Sequence, residues 1–334
     1  MRLGVGVFGD GSLMKVIEYT LAAEKRGFES VWVADHYCFR EIIVTMTALA
    51  MSTKKIKIGA GVANPYTRHA ATYAMSLATL REIAGDRILF GIGAALRPQK
   101  QLLGKELKDN MARVKECIEV VQKLLAGETV NYKGHTICVN NLKLAFDGKG
   151  TIPIYVGAMG PRMIKLAGEL SDGLLLSAGT YVNYAKVAIS WLKEGAQLSG
   201  RDPQSIDVAS YVMLSVSKDS RKAKNFSKSW IGTFITTPFF RPIAKLTGID
   251  VEDVDRLKEI IESEGIKEGS RYVPDYVVDT ITASGTPHEC KSKLEEFAEA
   301  GISHVILVPM GPDPVKSVNV IAKQLGRVRK VLKG

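Results

Sequence analysis

No stretch of this sequence stays apolar for the ~18 residues that a bilayer-spanning helix needs, so no membrane partner is expected. Cysteine is scarce. Cys38, Cys117, Cys138 and Cys290 stand far apart and form no CxxC, which argues against a zinc site and against a disulfide framework. The five histidines include no HxH or HExxH spacing. That counts against a barrel metallohydrolase, and no metal is expected. No GxSxG elbow is present to carry a serine nucleophile. Nucleic-acid motifs are also missing, although the formal net charge is +10. The lysines and arginines are spread through helical segments as on a solvated basic surface, with an anionic cofactor as the functional alternative. The N-terminus enters a strand, Leu3 to Phe8, without a signal-peptide pattern, and a cytoplasmic location is the expectation.

What is present is a regular alternation. With 334 residues, 46% of them hydrophobic, the chain can bury a large core. Short apolar runs predict strands at 3–8, 30–34, 56–62, 87–93, 152–156, 173–177, 206–216 and 304–308. Helical spacing predicts helices between them, including 42–51, 67–84, 109–126, 161–169, 181–198 and 313–330. Ser12 and the Thr286-Pro287 pair sit where helices begin. Weak alternation over 129–146 predicts a small hairpin outside the main sheet. From about 218 to 283 the pattern breaks into helical and polar segments too long for a plain connection. About eight strand–helix units predict one closed TIM (β/α)8 barrel over 1–334, with an insertion at about 218–283.

In such a barrel, chemistry sits at the C-terminal strand ends. Three stretches stand out there. Gly59 to His69 ends a strand with two glycines, which leave room for a ligand or another backbone. Pro65 then stops the ladder. An ordinary strand-to-helix loop is the alternative. Asp35-His36 directly follows Val31-Trp32-Val33-Ala34. A histidine oriented by a carboxylate is a proton donor or acceptor near neutral pH, against a capping Asp and a loop His. Gly157-Ala158-Met159-Gly160-Pro161 opens a helix, presenting free N–H groups toward an anion, with Arg162 and Lys165 near. A tight turn is the alternative. Gly93, Ser177 and Ala178 occupy further strand ends.

Taken together, Gly27 to Tyr37, Gly61 to Arg68, Ile152 to Pro161, Ser171-Asp172-Gly173 and Gly311-Pro312-Asp313 resemble the bacterial luciferase-like superfamily. Within it the chain is similar to the methylenetetrahydromethanopterin reductases that use the deazaflavin coenzyme F420. The resemblance runs in order over almost the whole chain. It implies a luciferase-like barrel. It also implies that a bulge at Gly61, Val62, Ala63 and Asn64 contains a non-prolyl cis peptide and backs the deazaflavin ring. Gly157, Ala158, Met159 and Gly160 would take the cofactor phosphate, with Gly93, Ser177 and Ala178 also at the cofactor. Asp35 and His36 would lie beside the ring, with His36 toward the substrate. The cofactor carries an oligoglutamate tail, and the basic segment Arg221 to Lys228 is a candidate to attract it.

The chain also departs from that pattern. Gly6 stands where the pterin reductases usually carry a glutamate, and Ala94-Ala95 where they carry an acid. The expected activity is hydride transfer between F420 and a small organic substrate. A flavin mononucleotide (FMN)-dependent monooxygenase on the same barrel is one alternative. A non-catalytic cofactor-binding protein, suggested by the missing acids, is another. Barrels of this superfamily commonly pair, so a homodimer or higher homo-oligomer is expected through helices 42–51 and 67–84. Ala70, Ala71, Ala74 and Ala78 there would permit close approach or pack within the helical shell.

Overall fold

The structure, a computed structural model, describes residues 1–8, 12–36, 38–94, 108–177, 179–237, 240–311 and 313–326. It divides into two compact units. The larger is Gly4–Leu176 with Ser190–Ala209; the smaller is Met1–Leu3, Ser177–Ile189 and Ser210–Gly334.

In the larger unit, β1 (Arg2–Val7, from Gly4 on), β2 (Ser30–Val33), β3 (Lys57–Ala63), β4 (Ile88–Gly93), β7 (Ile154–Ala158) and β8 (Gly173–Leu176) lie side by side in that order. Every neighbouring pair is parallel. Helices α1 (Leu13–Lys25), α2 (Ile42–Ser52), α3 (Ala70–Ala84), α4 (Asn110–Leu125) and α5 (Pro161–Leu170) carry the crossovers. The 129–146 segment is the predicted hairpin, with β5 (Val130–Lys133) antiparallel to β6 (Cys138–Leu142). The strands are buried on both faces, as in a parallel sheet covered by helices.

Two charged side chains fix where β3 starts. The Glu24 carboxylate accepts the backbone N–H groups of Lys54, Lys55 and Ile56 at 2.9, 2.6 and 2.9 Å. Arg87 donates to the carbonyls of Ala50 and Ile56 and to the Thr53 hydroxyl. The end of α2 is thereby tied to the start of β3. Further along, the Gly59 position is filled by the fully buried Trp32 indole: a Cβ at 59 would sit 2.5 Å from it. Gly59 therefore makes room for packing rather than for a ligand.

The smaller unit contains α6 (Val182–Leu198), which runs on into the larger, and β9 (Asp207–Val216), which begins in the larger. It continues through α7 (Ser220–Ile235), α8 (Phe240–Thr247), α9 (Val251–Glu264), α10 (Asp275–Ile281), β10 (Ala283–Gly285), α11 (Pro287–Glu299), β11 (His304–Pro309) and α12 (Pro314–Gly326). Strand β10 pairs in parallel with β9. Three residues are too few to show alternation, and β10 was not among the predicted strands. Thr286 and Glu289 form a full capping box at α11. Ser12, by contrast, sits at the α1 N-cap without a side-chain capping bond. The predicted C-terminal helix is described to Gly326; Arg327, Arg329 and Lys330 lie outside the described residues.

Candidate functional site

Asp35 and His36 follow β2, after the Ala34 N–H donates to the Val7 carbonyl at 3.0 Å. The His36 ring stands edge-on between Phe8 and Phe39, with centroids 5.7 and 5.6 Å away. Aromatic contacts on two sides set the plane of the imidazole. The Asp35 carboxyl is 13% exposed. Burial pushes its pKa up, the Arg68 guanidinium pulls it down, Glu41 pushes it up again and the Asn64 backbone N–H bond pulls it down; the balance lies above the ordinary carboxylate value.

In the sequence Arg68 stands only as the end of a resemblance segment and within the predicted helix 67–84. In the structure it is bonded to two carboxylates, Asp35 at 3.4 Å and Glu41. Its guanidinium also lies over the Tyr73 ring at 5.9 Å. Helix α3 starts at Ala70 rather than at the predicted residue 67, because the residues before it form a separate turn. The Asn64 carbonyl accepts from the Thr67 N–H, the Thr67 hydroxyl and the Tyr73 hydroxyl, the last at 2.7 Å. His69 then caps the helix through Nδ1, which accepts the Ala71 N–H at 3.1 Å. Burial pushes the Tyr73 phenol up to about 12, so it stays a neutral donor at physiological pH.

The expected bulge is present. Ala60 pairs with Phe90 but Ala63 with Ile92, so β3 spends one extra residue against β4. The Gly61–Val62 peptide within it is cis, as the resemblance implied. The Val62 side chain lies over three glycine positions. Cβ atoms built at Gly91, Gly93 and Gly157 would come 3.1, 3.0 and 2.7 Å from its methyls. Asn64 is buried, and its Oδ1 accepts the Tyr66 N–H at 2.9 Å.

Gly157 and Ala158 end β7, and Met159 and Gly160 lead into α5. Gly160 is the N-cap residue without a side-chain cap, and Pro161 takes the first helical position. The first-turn N–H groups are thus left for a ligand or solvent. A Cβ at Gly160 would meet nothing within 4 Å, so the approach to this helix start is open. These features fit a phosphate group. Of the two cations expected nearby, Lys165 is ion-paired with Glu194.

Asp35, His36, Gly61 to Asn64, Gly93 and Gly157 to Gly160 belong to the larger unit. Ser177 belongs to the smaller, and its carbonyl accepts from the Thr180 N–H and hydroxyl. Ala178 lies outside the described residues, as does Ala95. Gly6 is buried within β1, and Ala94 follows β4. The residues that sequence reasoning undervalued are Arg68 and Glu41. Their one local signal was a pair of opposite charges flanking two predicted helix starts.

The luciferase-like monooxygenase profile matches residues 2–304. The chain belongs to this family. Among luciferase-like relatives, the 5,10-methylenetetrahydromethanopterin reductase of Methanolobus tindarius is 35% identical over 327 residues, covering 97% of this chain and 99% of the relative. The solved coenzyme F420-dependent tetrahydromethanopterin reductase from Methanopyrus kandleri superposes with a TM-score of 0.89 at 28% identity, covering 97% of both chains. An F420-dependent secondary alcohol dehydrogenase, solved with an F420–acetone adduct, superposes at 0.82 with 25% identity, covering 98% of this chain and 100% of that one. The fold is the luciferase-like TIM barrel. No helix among the described residues is long and apolar enough to cross a membrane.

Proposed function

We propose that this protein is an oxidoreductase that moves a hydride between coenzyme F420 and a small organic substrate. One observation supports the reading most. Asp35-His36 and the Gly61–Asn64 bulge end adjacent paired strands, β2 and β3, and the Asn64 N–H is bonded to Asp35. A proton-handling pair is thereby joined to a ring-backing segment. Bound deazaflavin supplies two-electron hydride chemistry. The open first turn of α5, after Gly157, Ala158, Met159 and Gly160, holds the phosphate. Gly61, Val62, Ala63 and Asn64 back the ring, with Gly93 on the next strand. Ser177 and Ala178 stay in the cofactor set as residues at the end of the β8 run. His36 exchanges a proton with the substrate heteroatom, and Asp35 orients His36 or the cofactor. Holding both reactants in register converts their encounter into an effectively unimolecular step. Gly6 and Ala94 place no charge on the substrate side, which favours a substrate that needs no carboxylate partner.

The chain is read as a single barrel domain over 1–334, acting in the cytoplasm, with residues 218–283 as its insertion. The cofactor's acidic tail is assigned to that insertion, with one revision. Lys224 and Lys228 are already paired with Asp279 and Asp275 at 2.7 and 2.9 Å. Within the segment Arg221 to Lys228, the tail is assigned to Arg221 and Lys222, which line an open surface depression of about 370 Å³ with Asp219, Asn225 and Phe226. Titration with F420 and, separately, with FMN, followed by fluorescence of Trp32, Trp191 and Trp230, tests both points. Tight F420 and weak FMN binding is expected, with Arg221→Glu/Lys222→Glu weakening F420 binding about tenfold at low salt and less at high salt. The reverse preference would move the function to an FMN-dependent monooxygenase, and binding of neither would remove the functional case. An unchanged affinity in the double variant would remove the tail site alone.

A homodimer forms part of the proposal. Ala70, Ala74 and Ala78 are buried within the chain, so they serve the helical shell. On these two helices the large apolar side chains most exposed are Val44 and Met51 on α2, 63% and 71% exposed, and Met75 on α3 at 52%. Val44 and Met51 share one helical face, and such a stripe suits an isologous contact with a second copy. Sedimentation velocity at micromolar protein is expected to give a dimer, and Val44→Glu/Met51→Glu a monomer. A monomeric wild type would refute the assignment.

A further inference from the structure

We propose that Arg68 and Glu41 are positioning residues that divide one guanidinium between two carboxylates, so that Asp35 is held in place yet left able to take and release a proton beside His36. The inference rests on the reading of Asp35 and His36 as the reacting face. Three contacts carry it. Arg68 Nη1 lies 3.4 Å from Asp35 Oδ2 and 3.5 Å from Thr67 Oγ1. Arg68 Nη2 is bonded to Glu41 Oε1. Glu41 Oε2 accepts the Val44 N–H at 2.7 Å, capping α2. The helix cap thus anchors Glu41, Glu41 holds one arm of Arg68, and only the other arm reaches Asp35.

Neither extreme would serve a proton-handling site. A two-armed fork on Asp35 would lock the carboxylate in its ionised form. A buried carboxyl without a cation would stay protonated. Sharing the guanidinium leaves Asp35 between these limits. Among the described residues, the charged and titratable groups that act on Asp35 from the packed elements are Arg68, Glu41 and Tyr73, with His36 next to it in the chain. The Tyr73 phenol is neutral at working pH, so Arg68 and Glu41 are the two charges that act on Asp35, alongside its burial and the Asn64 N–H bond.

The two partners make opposite predictions. Glu41→Gln keeps an oxygen for the helix cap but releases Arg68, so the Asp35 midpoint is expected to fall by about one pH unit. Arg68→Met removes the cation, so the midpoint is expected to rise by about the same amount. Arg68→Lys should lie between wild type and Arg68→Met. Carboxyl carbon NMR of protein labelled at aspartate, with Asp35→Asn for assignment, reads these midpoints without cofactor or turnover. Failure of the functional reading is therefore distinguishable from failure of this one. In the active enzyme the pH profile of turnover should move in the same directions. A purely structural role would lower activity in both variants without opposite shifts. Midpoints that stay put, or move together, overturn the proposal. So does a turnover profile that ignores opposite carboxyl shifts. Should Arg68→Met fail to fold, Glu41→Gln decides alone.

Discussion

Replacing His36 with alanine is expected to lower hydride transfer by about 100-fold or more while leaving F420 affinity within a few fold of wild type. Positioned acid–base groups contribute on the order of 10²–10⁴ in rate, and His36 is the imidazole at the end of β2, next in the chain to Asp35. Its edge-on contacts with Phe8 and Phe39 hold the ring plane. His36→Asn keeps some hydrogen bonding but cannot shuttle a proton, so it should track the alanine variant in rate. Removing the ring leaves a gap between two phenylalanines, at a cost of about 1–3 kcal/mol. Stopped-flow measurements well below Tm, with binding measured in parallel, separate that loss from chemistry. Turnover within a few fold of wild type would reduce His36 to a packing residue. Wild type and variant equally inert, yet binding F420 equally, would favour a non-catalytic cofactor-binding protein.

Gly91→Ala should be strongly destabilising. Its Cβ would lie 2.1 Å from the Ala60 carbonyl oxygen and 3.1 Å from a Val62 methyl. The first of these is backbone, which has no rotamer to escape into. Ala60 is also the last residue paired before the register shift between β3 and β4. The added methyl therefore pushes β3 away where the bulge begins, carrying Val62 and Asn64 with it. A loss of about 3 kcal/mol or more is expected, a fall in Tm of about 5 °C or more, together with weakened F420 binding. Gly160→Ala is the control: the residue has φ −101° and open space around it, so it should leave Tm within a degree or two. Equal stability of the two variants would mean that the β3–β4 contact yields easily.

The alternation of apolar strands with amphipathic helices was enough to predict the barrel. Strand bounds such as 30–34 against Ser30–Val33 and 206–216 against Asp207–Val216 fall within a residue or two. Burial on both faces of a parallel strand leaves a continuous apolar run, and that run is visible without any partner. For the same reason Asp35-His36 and Gly61–Asn64 were legible as strand ends: each is where an apolar run stops. Strand β10, with three residues, fell below the length at which pattern speaks.

Contacts between residues far apart in the chain needed the tertiary structure. Gly59 reads as space for a ligand until Trp32, 27 positions earlier, is placed over it by the β2–β3 register. Lys224 and Lys228 read as free positive charge until α10 brings up Asp279 and Asp275. Arg68 reads as a helix start until the turn at Asn64 aims it at Asp35 and Glu41. By itself the sequence determined the order of elements and which strand ends carry polar residues, because both follow from local hydrophobic period. Only the tertiary structure decided which charges neutralise each other and which glycines serve packing. Those outcomes depend on strand register and helix packing, which bring together residues that no local pattern connects.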